Sequence, residues 1–198
     1  MTDCTFPKRW AVKSGTMKHR ALLWLTAFLA LLPLVGCATR APSGVAVVPT
    51  FTPERYLGTW YEIARLDHRF ERGMSEVTAV YTANPDGSLG VVNRAWNGTR
   101  WKSVNGRATF QGERTVPSLS VTFFWPFSGG YHVIALDQVD YRWAMVCGPD
   151  RDYLWILART PVLDPTLRDT LVLQAKSAGF PVADLIWVEH GKVPQPAP

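Results

Sequence analysis

Between residues 58 and 159 the chain repeats one pattern: a short run that alternates apolar and polar residues, then a turn signal. Alternation at period two sends neighbouring side chains to opposite faces of a strand. Runs at 58–66, 76–83, 89–96, 101–110, 117–124, 131–136, 141–147 and 152–159 predict strands. The cleanest is 101–110, where Val104, Gly106, Ala108 and Phe110 oppose Ser103, Asn105, Arg107 and Thr109. In the first run, parity places Trp60, Glu62 and Ala64 on one face and Tyr61, Ile63 and Arg65 on the other. Asn84-Pro85-Asp86-Gly87 and Asn97-Gly98 are turns, because Pro fixes φ and Gly accepts φ > 0. Residues 125–130 read as an apolar loop with two glycine joints. Sequential strands with a turn about every ten residues fit a β-sandwich or an up-and-down barrel. Then the period changes. Asp164 caps, Pro165 starts, and Leu167, Leu171, Ala175 and Ala178 share one helical face that ends at Gly179. Residues 185–188 offer one further short strand.

The front of the chain is of another kind. Lys18-His19-Arg20 precedes an apolar run at 21–35. That run is shorter than the ~20 residues a membrane span requires, and fits the apolar core of a secretory signal peptide. Leu34-Val35-Gly36-Cys37 resembles the lipobox of bacterial lipoproteins, which implies cleavage after residue 36 and acylation of Cys37. Met17 directly precedes the basic cluster, so translation starts either at Met1 or at Met17, and in the second case residues 1–16 lie upstream of the leader. Lys8, Arg9, Lys13, Lys18 and Arg20 lie in it against Asp3, so most of the net charge of +5 leaves with it. The remainder is near neutral, which argues against nucleic acid as a partner. Of three cysteines, Cys4 is in the leader and Cys37 is the lipidation site. Cys147 is left alone, so the mature domain stands on its apolar core and not on a disulfide. The expected divisions are a leader at 1–36, a lipidated N-terminus and tether at 37–50, a folded domain at 51–190 and a disordered tail at 191–198.

Three segments carry a family resemblance. Gly58-Thr59-Trp60-Tyr61 lies on the first strand, Asp137 and Tyr141 flank the turn after the sixth, and Arg159 ends the eighth. These resemble the three signatures of the lipocalins, most of all in their bacterial outer-membrane branch and next in the apolipoprotein D branch. The second signature departs from the family pattern, with Leu136-Asp137-Gln138 in place of Thr-Asp-Tyr. The resemblance implies an all-β fold: an eight-stranded antiparallel up-and-down β-barrel with a C-terminal α-helix packed outside. It also implies barrel closure by Gly58, Trp60 and Arg159, with the guanidinium stacked on the indole. Such a contact is worth about 0.5–2 kcal/mol.

With one end shut, the loops at 67–75, 97–99, 125–130 and 148–150 share the open rim. Parity and the resemblance turn Tyr81, Asn93, Phe123, Tyr131, Trp155 and Leu157 inward, as lining for a chain-like hydrophobe with one polar end. His68, Arg69, Arg72, Arg100 and Arg151 are candidates for an acidic headgroup at the rim. The family implies a fatty acid or lysophospholipid as ligand and a role in membrane maintenance. The anchor adds the membrane as partner. Ala38 after Cys37 is not the aspartate of inner-membrane retention, which implies a lipid-anchored place at the outer membrane, facing the periplasm. A lipid-processing enzyme on the same scaffold is the competing reading, with Cys147 as its thiol. His68, His132 and His190 lack metal-ligand spacing, and nothing calls for a metal or cofactor. Oligomeric state, a homodimer included, is not readable.

Overall fold

The structure is a computed structural model that describes residues 39–194. The leader, the lipidation site Cys37 and residues 195–198 lie outside the described range. A helical turn, α1 (Pro53–Tyr56), leads into β1 (Gly58–Arg65), with Pro53 opening the turn. There follow β2 (Ser75–Ala83), β3 (Leu89–Trp96), β4 (Trp101–Phe110), β5 (Ser118–Phe124), β6 (Phe127–Leu136), β7 (Trp143–Cys147) and β8 (Leu154–Ala158). Helix α2 (Pro165–Ser177) comes next, its N-terminus capped by the Asp164 carboxylate on the Leu167 amide. A short β9 (Ile186–Trp187) follows.

The sheet runs in the order β2-β3-β4-β5-β6-β7-β8-β1-β9, and β1 also pairs with β2. Eight antiparallel strands therefore close into a barrel. Closure at the seam is partial: β1 meets β2 only from Gly58 to Tyr61. Farther along, Ala64 and Arg65 pair with β9 instead. Two apolar layers hold the fold. One fills the interior around Trp60, Tyr56, Leu89, Leu119, Val133 and Leu157. The other lies between the outer wall and α2, where Leu171 and Ala175 pack on Ile156, Met145 and Cys147.

Three sequence expectations change. First, β1 carries a bulge. Glu62 pairs with Leu157, Ala64 with Ile156 and Arg65 with Trp155, so Ile63 is the extra residue. One extra residue shifts parity. Ala64 therefore packs outside with Ile63, and Arg65 turns inward beside Glu62. Second, β6 starts at Phe127 and absorbs most of the expected loop at 125–130. Phe124 pairs with Phe127, and the hydroxyls of Thr122 and Ser128 bond at 2.5 Å across the hairpin. Third, residues 191–194 are held, not free. The amides of Gly191, Lys192 and Val193 all donate to the buried Glu76 carboxylate, and the Pro194 carbonyl accepts from Trp101.

Candidate functional site

The closed end is built around Trp60, which is fully buried. The Arg159 guanidinium lies 3.9 Å from the indole ring centre. Its nitrogens donate to the carbonyls of Thr59 and Arg55, each at 2.8 Å, and of Tyr141 at 3.3 Å. Gly58 sits beneath with φ +91, a conformation that favours glycine. Asp137 orders the adjacent turn by accepting from the amides of Val139, Asp140 and Arg142 and from the Arg142 side chain. The shifted tyrosine of the second signature, Tyr141, takes φ +56 and accepts a bond from the Thr52 amide through its hydroxyl.

Five of the six expected lining residues belong to the interior cluster or pack against it. Tyr81 and Leu157 are buried in the interior cluster, and Phe123, Tyr131 and Trp155 pack on it half-buried. A Cβ at Gly106 would come within 2.6 Å of the Phe123 ring, so glycine there makes room for that ring. Three phenols join across the barrel: Tyr131 Oη lies 2.7 Å from Tyr56 Oη and 2.9 Å from Tyr81 Oη. Burial raises all three above the ordinary range, so they stay protonated donors. Asn93 Oδ1 is buried without a hydrogen-bond partner.

Nearer the open end stands a polar cluster that the alternating pattern concealed. Arg65 donates to Glu62 at 2.7 Å and to the main-chain carbonyls of Glu71 at 2.7 Å and Met74 at 3.1 Å. Residues 66–74, which join β1 to β2, are thereby strapped over the mouth. The Glu71 side chain accepts from Trp155 Nε1 at 3.2 Å. Burial, then the neighbouring Glu71, raises Glu62 well above the ordinary carboxylate range despite Arg65. Burial likewise raises Glu71, against Trp155 and Arg65. Glu62 was legible as inward-facing near Trp60. Arg65 and Glu71 were not, because one depends on the bulge and the other on a loop path.

The five basic rim candidates divide. Arg69 and Arg100 are exposed at the open end. Arg72 is exposed and ion-paired with Asp67 at 2.6 Å. His68 is buried, stacked on Phe70 with ring centres 4.0 Å apart and packed on Trp155. Burial and the nearby Arg65 pull it down to about 4, so it is neutral at pH 7 although Glu71 Oε2 lies 3.2 Å away. Arg151 turns from the rim to bond the carbonyls of Ala178 and Ser43. His68 and Arg151 are thus parts of the scaffold, withdrawn by stacking and by main-chain bonds.

Cys147 is fully buried on the outer wall under α2, and burial pushes its thiol up to about 12. Among the described residues, no three His, Cys, Asp or Glu side chains are grouped to hold a metal ion. A surface hollow of about 400 Å³ lies outside the barrel by Tyr61, Pro161 and residues 190–194, apart from the interior candidates.

A family model described as a lipocalin-like domain matches residues 52–190. Outer membrane lipoprotein Blc of Escherichia coli (strain K12) is 51% identical over 173 residues, spanning 81% of this chain and 97% of that protein. Apolipoprotein D of Bos taurus is 34% identical over 127 residues, spanning 60% of this chain and 66% of that protein. The solved structure of insecticyanin from the tobacco hornworm Manduca sexta aligns with a TM-score of 0.60 at 19% identity, over 78% of this chain and 88% of that one. That likeness speaks to the fold. Together with the closed barrel and its outer helix, these matches place the chain in the lipocalin family.

Proposed function

We propose that the barrel binds one chain-like lipid, a fatty acid or a lysophospholipid, and holds it for storage or transfer in membrane maintenance. One observation carries this reading. Interior residues near Trp60, such as Leu89, Leu119, Val133 and Leu157, are buried, whereas Asn93, Phe123 and Trp155 toward the mouth are half-exposed. Side-chain exposure thus rises from the closed end toward the mouth. The interior lining suits an acyl tail, with hydroxyls and carboxyls available to a polar end. Burying about sixteen methylenes gains roughly 13 kcal/mol. Association costs about 4–15 kcal/mol, which leaves micromolar or somewhat tighter binding. Arg65 and Glu71 occupy the mouth, so the ligand enters when residues 66–74 swing aside. Arg69 and Arg100 remain to meet an acidic headgroup.

The relatives named outer membrane lipoproteins support an outer-membrane place for this chain; the lipid anchor on Cys37 and a barrel facing the periplasm are part of the proposal. The protein acts as a binder and not a catalyst in this reading. Cys147, the thiol of the competing enzyme reading, lies outside the cup under α2 and is held protonated by burial.

Titration of the purified protein with a fluorescent fatty acid tests the proposal. Energy transfer from the interior tryptophans should saturate at one probe per barrel, and unlabelled lysophospholipid should displace it. A barrel that takes up neither is a solid scaffold, and the carrier reading then fails.

A further inference from the structure

The β5–β6 hairpin ends in an aromatic tip with no partner among the described residues. Phe124, Trp125 and Phe127 are 72%, 88% and 71% exposed. Isolated exposed apolar residues are ordinary, but three contiguous large aromatics form a patch of the kind that marks an interaction site. The tip is built rigidly. Phe124 and Phe127 pair across the strands, and the Thr122–Ser128 hydroxyl bond braces them from below. It stands at the open end of the barrel, as do the 66–74 loop and the β3–β4 turn. Phe70 on that first loop is also 56% exposed.

Charge favours one occupant. From Leu89 to Phe110, the two strands beside this hairpin contain no acidic residue, and Arg94, Arg100 and Lys102 lie in their half toward the open end. Across the barrel, Arg69 has no ion pair among the described residues, Asp67 is neutralised by Arg72 and Glu71 points inward. Of the other acids toward this end, Asp150 and Asp152 flank Arg151 on the β7–β8 turn, Glu189 pairs with Lys192, and Asp184 lies just before β9. The described chain begins beside β5 and β6, where the Thr39 carbonyl accepts from Gln111 Nε2 on the closed-end β4–β5 turn at 2.6 Å and would lie 2.9 Å from a Cβ at Gly130. Aromatic side chains settle at the headgroup level of a bilayer, and flanking arginines and lysines meet anionic lipid.

We propose that this tip docks into the surface of an anionic phospholipid bilayer and turns the barrel's mouth toward it. The contact is made by protein side chains, in addition to any acyl anchor. A lipid tail then passes between bilayer and barrel without crossing open water, a consequence that rests on the carrier reading, whereas the docking does not.

The test uses the full-length product as the cell processes it, reconstituted in vesicles of phosphatidylethanolamine and phosphatidylglycerol with bromine-labelled acyl chains. Bromolipid quenching of tryptophan emission should fall about twofold or more in Trp125→Ser, because an interfacial tryptophan is the one in reach of the tails. A Phe124→Ser/Phe127→Ser variant keeps Trp125 as reporter and should lose the same quenching. Both variants should keep the wild-type melting temperature and the stoichiometry of fatty-acid uptake. Equal quenching in all three proteins overturns the proposal. So does a change from dimer to monomer sedimentation in the serine variants without any change in quenching, since the patch would then serve a second copy of the chain. Loss of fatty-acid uptake in wild type with quenching intact would count against the carrier reading alone.

Discussion

Replacing Arg159 by alanine removes the contact with the Trp60 ring and leaves the carbonyls of Arg55, Thr59 and Tyr141 without their donor. Water can reach part of this site, so the expected loss is about 2 kcal/mol. For a domain of this size that is roughly a 4–8 °C fall in melting temperature. An unchanged Tm would mean the stack contributes no stability. His68 gives a second residue-scale prediction, in pH. Its folded value, about 4, lies below its ordinary 6.5. As pH falls through that window the unfolded chain takes up the proton first, so stability present above 6.5 is lost toward 4. The raised Glu62–Glu71 pair works in the opposite sense, since its proton is held more firmly in the fold. Urea unfolding at pH 7 and pH 4.5 should therefore show a smaller acid loss in His68→Gln than in wild type. Trp60, Gly58 and Arg159 were legible because each owes its place to a local motif or to strand parity. His68 was not, because its charge pointed to solvent while its stacking partners, Tyr153 and Trp155, lie far along the chain.

Strands and helix were read from the sequence with only small shifts of boundary, because alternation and caps are local. The bulge in β1 was not. A single extra residue leaves no mark on composition, yet it converts Arg65 from an outward to an inward side chain and makes it the strap of residues 66–74. Glu71 enters the mouth through the path of that loop, which no periodicity encodes. The strap can be cut. Arg65→Met keeps much of the volume but removes the guanidinium. Breaking a buried ion pair costs about 3–5 kcal/mol when a charge is stranded. Amide exchange across residues 67–74 should quicken by more than it does in β4 or β5. Stopped-flow uptake of a fatty-acid probe should also be faster, since the mouth is less firmly closed. Exchange and uptake at wild-type rates would show that the loop is held by the aromatic stack of His68, Phe70 and Tyr153 and not by Arg65.

As a whole molecule the barrel depends on the chain's last described residues to complete its seam. β1 and β2 are bonded to each other only near the closed end, and toward the mouth residues 186–193 fill the gap. Val188 donates to the Ile63 carbonyl, the Glu76 amide donates to Glu189, and His190 Nε2 lies 2.8 Å from the Glu62 carbonyl. The Glu76 carboxylate, 3% exposed and on a backbone with φ +54, collects the amides of residues 191–193. Burial alone would raise this carboxyl, but the three donors together bring it below its ordinary 4.5. A carboxyl depressed in the fold stabilises it fully above the ordinary value and loses that contribution as pH falls through the folded one. Glu76→Gln offers the amides a single neutral oxygen, at a cost of about 1–3 kcal/mol near neutrality. Once the pH falls below the depressed folded value, wild type loses the same ionic bonds, so the two proteins should converge there. Denaturant midpoints at pH 7 and pH 3 measure this, and a gap of equal size at both would show that the substitution disturbs packing and not the ionic clasp. Proteolysis at residues 191–194 should accelerate in the variant at pH 7. Fatty-acid uptake should retain its stoichiometry, because the clasp grips the outer seam while the proposed acyl site lies beside Tyr131 and Phe123 within.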